Sequence, residues 1–408
     1  MIKEKEGAWA KQGAYTAAWK YLIYNLVIKE LNKSTTGMKR GAAAAVHDYL
    51  RDNFRGEQTN PIAMMISYLK RLEGIKIGPF EAAVKAKELT QLYRLEEINR
   101  ILPSVYELCN KKSVTVLVDE LDKGWDASED AKSFVSGLVQ AAISINEGSK
   151  NLRVLVSLRK ELYDSIPSLY EDAQKYRDIM EVVSWDEESL LSLIAKRIRH
   201  TVPETHRLTD EECWNSVFVE ILQYRQTKSF NYIVDRTLYR PREIIQFCTE
   251  SLQETQKNLA FPIDYPIVSR CEVNYSTQRS QDIAAEYRFQ YPGLDSVFEA
   301  FRGKTYSFTR EGIDDLCLSM AVGETKVKPE ATKWILDQDP EYITDVLWRV
   351  GFLRAQAVGG VKALRRSGSR YLGSYQVENL SLRNIQRFDV HPMFRSGLGM
   401  KEAKEKLE

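Results

Sequence analysis

Two adjacent carboxylates, Asp119 and Glu120, close the run Val114-Thr115-Val116-Leu117-Val118 and are the residues best placed to do chemistry. A continuous β-branched and apolar run of this kind reads as a buried parallel strand. In open α/β sheets, ligands sit beyond the carboxyl ends of such strands. Two acids there suit Mg²⁺-nucleotide chemistry: one carboxylate holds the metal or its water, and the other polarises the attacking water. A bare apolar run followed by Asp-Glu also closes many ordinary strands whose next residues are simply loop acids. Further along, Asn151–Ser157 forms a second apolar run that ends in Ser157-Leu158-Arg159. Ser157 or Arg159 could reach a phosphate held at Asp119, and Arg159 equally suits a plain surface charge.

A third chemical signal is Tyr239-Arg240-Pro241-Arg242-Glu243-Ile244-Ile245, with Pro241 at the first turn of a helix. Arginine at a helix start opposes the helix dipole, which favours anions there. It is well placed to meet a phosphate at that helix end, and Arg242 is preferred over Arg240 because it lies inside the helix. Two solvated arginines on a capped helix is the plain alternative. Near the C-terminus, Arg354, Lys362, Arg365, Arg366, Arg370, Arg383 and Arg387 face only Glu378 and Asp389, a local excess of positive charge in a chain whose formal net charge is +1. Basic residues there suit phosphate contacts without sequence reading, with Arg365, Arg366 and Arg370 the candidates for DNA. Packing of the same region on a neighbouring domain or protein is the alternative.

The elements that must position these groups follow from periodicity. Residues 9–32 place Trp19, Leu22, Ile23, Leu26, Val27 and Leu31 on one helical face, and 39–110 read as further helices. Strands are expected over 113–118, 151–157 and 179–183, separated by helices, which implies βαβ units and a parallel sheet. Beyond Trp185, helices are expected over 187–200, 211–224 and 242–256. Phe261-Pro262-Ile263-Asp264-Tyr265-Pro266 reads as a boundary. Helices around 280–289, 296–301, 310–319 and 344–350 and a hairpin within 352–376 follow. Trp125 suits a lid on a ligand or subunit, or more simply a loop anchor.

Composition sets outer limits. The 408 residues, 43% hydrophobic and 28% charged, suit a globular protein of two or three domains. No apolar stretch approaches the roughly 20 residues a membrane helix needs. The charged start Met1-Ile2-Lys3-Glu4-Lys5-Glu6 is not a secretory leader. Five scattered cysteines point to reduced thiols in a cytoplasm, and with four histidines they show no zinc spacing. A nuclease lacks its usual spaced acid, lysine or metal-ligand cluster.

In order and spacing, Val114–Asp126, Val154–Arg159, Ile179–Trp185 and Arg240–Ile245 resemble the bacterial P-loop ATPases related to AAA+ origin-recognition and STAND proteins. The string Asp119-Glu120-Leu121-Asp122-Lys123-Gly124-Trp125 is similar to the Walker B "D-[ED]-L-D-x-G-W" of a group that ends in a winged helix. The resemblance spans roughly 15–395. It implies an α/β fold: an incomplete RecA/AAA+-like parallel sheet in residues 1–185, a helical lid at 186–262, a C-terminal winged-helix domain at 263–400 and a tail at 401–408. It further implies ATP and Mg²⁺ as cofactors, Asp119 as metal ligand, Glu120 as water-orienting base, Ser157 or Arg159 as sensor 1, and Arg240 or Arg242 as sensor 2. Implied partners are ATP, DNA through the winged helix, and a protein partner or a second copy, with no membrane.

One element of the resemblance is missing. Walker A needs G-x-x-x-x-G-K-[ST], and no such string occurs; Gly303-Lys304-Thr305 has Phe298 where the first glycine belongs. Either an upstream segment is lost or the ATPase is degenerate. Truncation is favoured, because a missing central strand leaves unpaired backbone groups that cost on the order of 1–3 kcal/mol each. The expectation is an ATP-dependent switch acting on DNA or in phage defence, with weak or no ATP hydrolysis by the chain alone. The rival is a non-enzymatic DNA- or protein-binding module on a degenerate ATPase scaffold.

Overall fold

The computed structural model describes residues 2–35, 40–54, 95–123, 125–170, 177–258, 261–356, 371–377 and 380–402. The chain divides into two compact units, Met1–Met180 and Glu181–Glu408. It is a mixture of helices with small sheets of two to four strands.

In the first unit, helices α1 (Ile2–Ser34), α2 (Gly41–Asn53) and α3 (Leu95–Lys111) precede strand β1 (Val114–Val118). Helix α4 (Glu129–Gly148) then leads to β2 (Leu152–Val156), followed by short helices α5 (Lys160–Asp164) and α6 (Pro167–Tyr170). The apolar face of α1 buries Ile23, Val27, Ile28 and Leu31, as the helical spacing requires. Helix α4 crosses α1 at Gly137, where an added Cβ would lie 2.6 Å from Tyr15 Cβ, so only glycine permits the approach. Trp19 Nε1 donates to Phe134 O at 3.1 Å and ties the same pair of helices. The start of α4 is fixed by Ser128, which accepts Ala131 N–H at 3.1 Å, with Glu129 and Asp130 in the first turn.

Strands β1 and β2 pair in parallel, Val114 opposite Leu152 through Val118 opposite Val156. Side chains alternate between the two faces. Val114, Val116, Val118, Leu152, Val154 and Val156 meet the helical core, whereas Leu117 and Leu155 stand 73% and 54% exposed on the other face. The expected third strand at 179–183 does not form. Arg177–Ile179 is a single 3₁₀ turn, and Val182 and Val183 are exposed. Its β-branched residues carry strand propensity, but propensity without a neighbouring strand to pair with gives no ladder. A full parallel sheet is therefore absent among the described residues.

The second unit begins with α7 (Glu187–Thr201) and α8 (Asp210–Asn215), then the small hairpin β3 (Ile221–Leu222) and β4 (Thr227–Lys228). The helix expected over 211–224 thus ends at Asn215. Beyond it, Phe218 makes a strand-like bridge to Ile263, and Val219 N–H donates to Ile263 O at 2.9 Å. Helices α9 (Ser229–Val234), α10 (Pro241–Asn258) and α11 (Tyr265–Glu286) follow. The helix expected at 280–289 is the last part of the longer α11, whose cap Asp264 and Pro266 lie within the stretch read as a boundary.

Helix α12 (Leu294–Glu299), strand β5 (Ser307–Thr309), helices α13 (Arg310–Ala321), α14 (Pro329–Ile335) and α15 (Pro340–Arg349) and strand β6 (Leu353–Gln356) come next. Strands β7 (Tyr371–Leu372) and β8 (Arg387–Val390) and helix α16 (Pro392–Arg395) complete the unit. The sheet order is β5-β8-β6-β7, antiparallel throughout, and β6 with β7 forms the expected hairpin. A single core runs from Leu190 to Leu398, with Phe298 stacked on Phe352 at 4.5 Å. Buried residues from both 186–262 and 263–400 belong to this core.

Candidate functional site

Asp119 and Glu120 follow β1 directly, and Ser157 follows β2. Ser157 N–H donates to Val118 O at 2.8 Å, extending the ladder by one step and holding the hydroxyl residue beside the acidic pair. Glu120 has φ of 63°, the left-handed region that non-glycine residues rarely adopt. Such strain gathers at functional sites. Asp119 Oδ1 accepts Glu120 N–H at 2.8 Å, which braces this bend.

The loop after β1 ties itself together by charge. Lys123 Nζ lies 2.6 Å from Glu120 Oε2, and this bond raises the lysine above its ordinary value. Arg159 Nη2 pairs with Asp122 Oδ2 at 3.0 Å. All four predicted residues of the first unit (Asp119, Glu120, Ser157 and Arg159) therefore share one strand end. The cluster is open to solvent and mixed in charge. Among the described residues, no three His, Cys, Asp or Glu side chains gather as a ready-made metal site. Asp119 alone matches the demand of Mg²⁺, which keeps most of its waters and phosphate ligands and takes one or two carboxylates from the protein.

Trp125 is 5% exposed and packs with Val135, Leu162, Ile166 and Leu169, so it anchors the loop against the core. Its Nε1 is buried without a hydrogen-bond partner.

A feature that periodicity does not reveal lies at the edge of β2. Val154 N–H donates to Asn146 Oδ1 at 2.7 Å, and Asn146 Nδ2 donates to Val154 O at 3.0 Å. The backbone groups of Val154 point away from β1, since Val114 and Ser157 show that the odd-numbered positions of β2 face it. The Asn146 amide thus presents to β2 the donor and acceptor pair that a neighbouring strand would present. A polar residue near the end of an amphipathic helix gave no sign of this in the sequence.

Arg240 and Arg242 lie in the second unit. Arg240 is held by Glu286 of α11 through two bonds, at 2.7 and 3.0 Å, so its role there is structural. Arg242 is exposed and has no ion-pair partner among the described residues. Between them and the core stands Glu243, fully buried, which accepts Leu238 N–H at 2.6 Å. Burial pushes its carboxyl up to about 7, against the opposing pull of Arg240. Tyr239, with φ of 57°, donates to Glu187 at 2.7 Å and stacks near Tyr375. The turn that sets the arginines is therefore clamped by the glutamate next to them. Arg365, Arg366 and Arg370 lie outside the described residues.

The family described as FunZ-associated C-terminal helical domain matches residues 188–284, the segment from α7 nearly to the end of α11. The chain is also 23% identical over 310 residues to an Escherichia coli (strain K12) protein described as a transposon gamma-delta 80.3 kDa protein. That alignment covers 75% of this chain and 43% of the relative, so the chain spans less than half of the relative's length. No solved structure matches it.

Proposed function

We propose that the chain is the acidic-strand and C-terminal portion of a P-loop ATPase of the AAA+/STAND kind, working as a nucleotide-dependent switch in a transposon-linked DNA transaction. One observation carries this reading: Asp119, Glu120, Ser157 and Arg159 stand together at the carboxyl end of a parallel β1–β2 pair. Asp119 is the Mg²⁺ ligand, and bound Mg²⁺ would neutralise phosphate charge. Glu120 orients water once it leaves Lys123, and Arg159, once released from Asp122, is free to meet a γ-phosphate. The transposon link rests on what the E. coli relative is described as.

Such a site needs a phosphate loop on a neighbouring strand. Support for an attachment point comes from the outer edge of β2, where among the described residues the Asn146 amide bonds Val154, and from Leu117 of β1 and Leu155 of β2, exposed on the sheet face. The exposed apolar residues of 179–183 fit a strand that pairs beyond the incoming one.

The order α12-β5-α13-α14-α15-β6-β7 with a closing β8 supports a winged-helix reading of the C-terminal part. The helix before β6, α15, turns Glu341, Tyr342, Asp345 and Arg349 outward, with the exposed Asp339 as its N-cap. Arg349 is paired to Asp345 and Arg383 to Glu341. An acidic, internally paired face repels a phosphate backbone. DNA contact is therefore assigned to the basic residues Arg365, Arg366 and Arg370 rather than to α15. No helix among the described residues is long and apolar enough to cross a membrane.

The test is ATP turnover by the chain joined to a strand, a G-x-x-x-x-G-K-T loop and a helix, with the unjoined chain alongside. Turnover that appears on joining and is abolished in Glu120→Gln supports the assignment. Turnover indifferent to Glu120→Gln, or no Mg²⁺-ATP binding after joining, refutes it.

A further inference from the structure

A cavity of about 570 Å³ opens in the second unit between the β3–β4 hairpin, α9, α11 and the turn after α16. That volume suits a small ligand. Arg225, Arg236 and Arg395 line it, with Tyr232 and Tyr306 as aromatic walls. The nearby acids are already saturated. Glu272 accepts from Tyr232 Oη at 2.6 Å and from Ser396 Oγ at 2.7 Å, with Arg236 Nε 2.9 Å away. Asp235 is taken by the buried Arg354 at 2.7 Å, and Asp389 by Ser307 at 2.6 Å and Arg395 at 3.2 Å. Glu402, exposed at the mouth, bonds to Tyr306.

Arg236 donates to Tyr232 O at 2.8 Å and Arg395 to Val390 O at 2.7 Å besides their carboxylate pairs, so the less engaged guanidinium is that of Arg225. Arg225 reaches only Tyr265, its Nε 3.2 Å from the phenol oxygen, and has no ion-pair partner among the described residues. The lining carries Arg225, Arg236 and Arg395 against Asp235, Glu272 and Glu402, so its formal charges balance, and the positive charge open to a ligand is the guanidinium of Arg225. Burial first, and then Arg354, Arg395 and Arg236, hold His391 well below its ordinary value. Burial and then Arg354 bring Arg395 down to about 10.

We propose that this cavity is a phosphate-binding site, with Arg225 at its mouth capturing the ligand and Arg236 and Arg395 fixing it. Planar guanidinium forks match oxyanion geometry, and a tetrahedral phosphate offers oxygens in several directions at once, where a carboxylate offers two in one plane. Arg236 lies over the Tyr232 ring at 3.3 Å and Arg395 over the Tyr306 ring at 3.8 Å, so each of these guanidiniums is backed by an aromatic face. The phosphate belongs either to a small phosphorylated molecule such as a nucleotide or to a nucleic-acid backbone. No residue of the Asp119 cluster takes part, so this site stands apart from the ATPase reading.

The experiment is calorimetric titration of the full chain with pyrophosphate, AMP and a short DNA duplex, for wild type, Arg225→Gln, Arg395→Lys and Asp119→Ala. We expect saturable pyrophosphate binding that Arg225→Gln weakens at least tenfold and Asp119→Ala leaves unchanged. Arg225 is exposed, so circular dichroism of Arg225→Gln should match wild type, and Arg395→Lys keeps the buried charge while removing the fork. AMP binding that DNA does not displace identifies the small-molecule source. DNA binding that pyrophosphate displaces, with a log–log salt slope smaller by about one in Arg225→Gln, identifies the backbone source. Absence of binding by all three probes overturns the proposal, as does binding that both arginine variants retain or that only Asp119→Ala removes.

Discussion

Glu243→Gln offers a sharp test of how the arginine turn is built. The carboxyl is buried, accepts Leu238 N–H, and sits at about 7 in the folded chain against an ordinary 4.5. Between those two values the folded state holds a proton that the unfolded state has released. The slope of stability with pH is therefore negative in that window: stability falls as pH rises from about 4.5 to about 7 and is level above it. At about 1.4 kcal/mol per pH unit, the gap corresponds to roughly 3 kcal/mol of stability lost by pH 8. A glutamine amide mimics the protonated acid, since its oxygen still accepts the Leu238 bond. We expect the variant to match wild type at pH 4.5 and to exceed it by up to about 3 kcal/mol at pH 8. Urea denaturation of both proteins at pH 4.5, 6 and 8, followed through a probe in the second unit, measures the difference. A gap that stays constant across the three pH values, or a variant less stable at pH 8, would refute the buried-acid reasoning.

Three further outcomes are expected. Asn146→Ala uncovers the edge of β2, so hydrogen exchange at the Val154 amide should accelerate and the first unit should lose about 1–2 kcal/mol; unchanged exchange would mean the amide caps nothing. Arg354→Met removes the partner of Asp235 and should cost about 3–5 kcal/mol, read as a lowered denaturation midpoint; near-neutral stability would show that the ion pair is not needed. Arg240→Ala should lower stability by about 1 kcal/mol through loss of the partly exposed Glu286 pair, whereas Arg242→Ala should leave it unchanged; equal effects would contradict the division of labour between the two arginines.

Local pattern alone determined a good part of this protein. The Asp119–Glu120 pair, the strand before it, Ser157 at the end of the next strand and most helices are readable because a period of two or 3.6 and an abrupt change of polarity are local properties. Trp125 as a loop anchor was legible for the same reason, as an aromatic residue in a polar turn. Tertiary structure decided the rest. Ile179–Val183 has the composition of a strand yet forms none, because a ladder needs a partner that the segment does not encode. Residues 211–224 have apolar spacing that fits a helix, but Phe218 and Val219 bond across to Ile263 instead, and a remote partner outweighs a weak local preference. Arg240 and Arg242 are near-equivalent in sequence and differ only because α11 brings Glu286 to one of them. The Asn146 edge cap and the arginine-lined cavity join residues far apart in the chain, and only the folded backbone sets their distances.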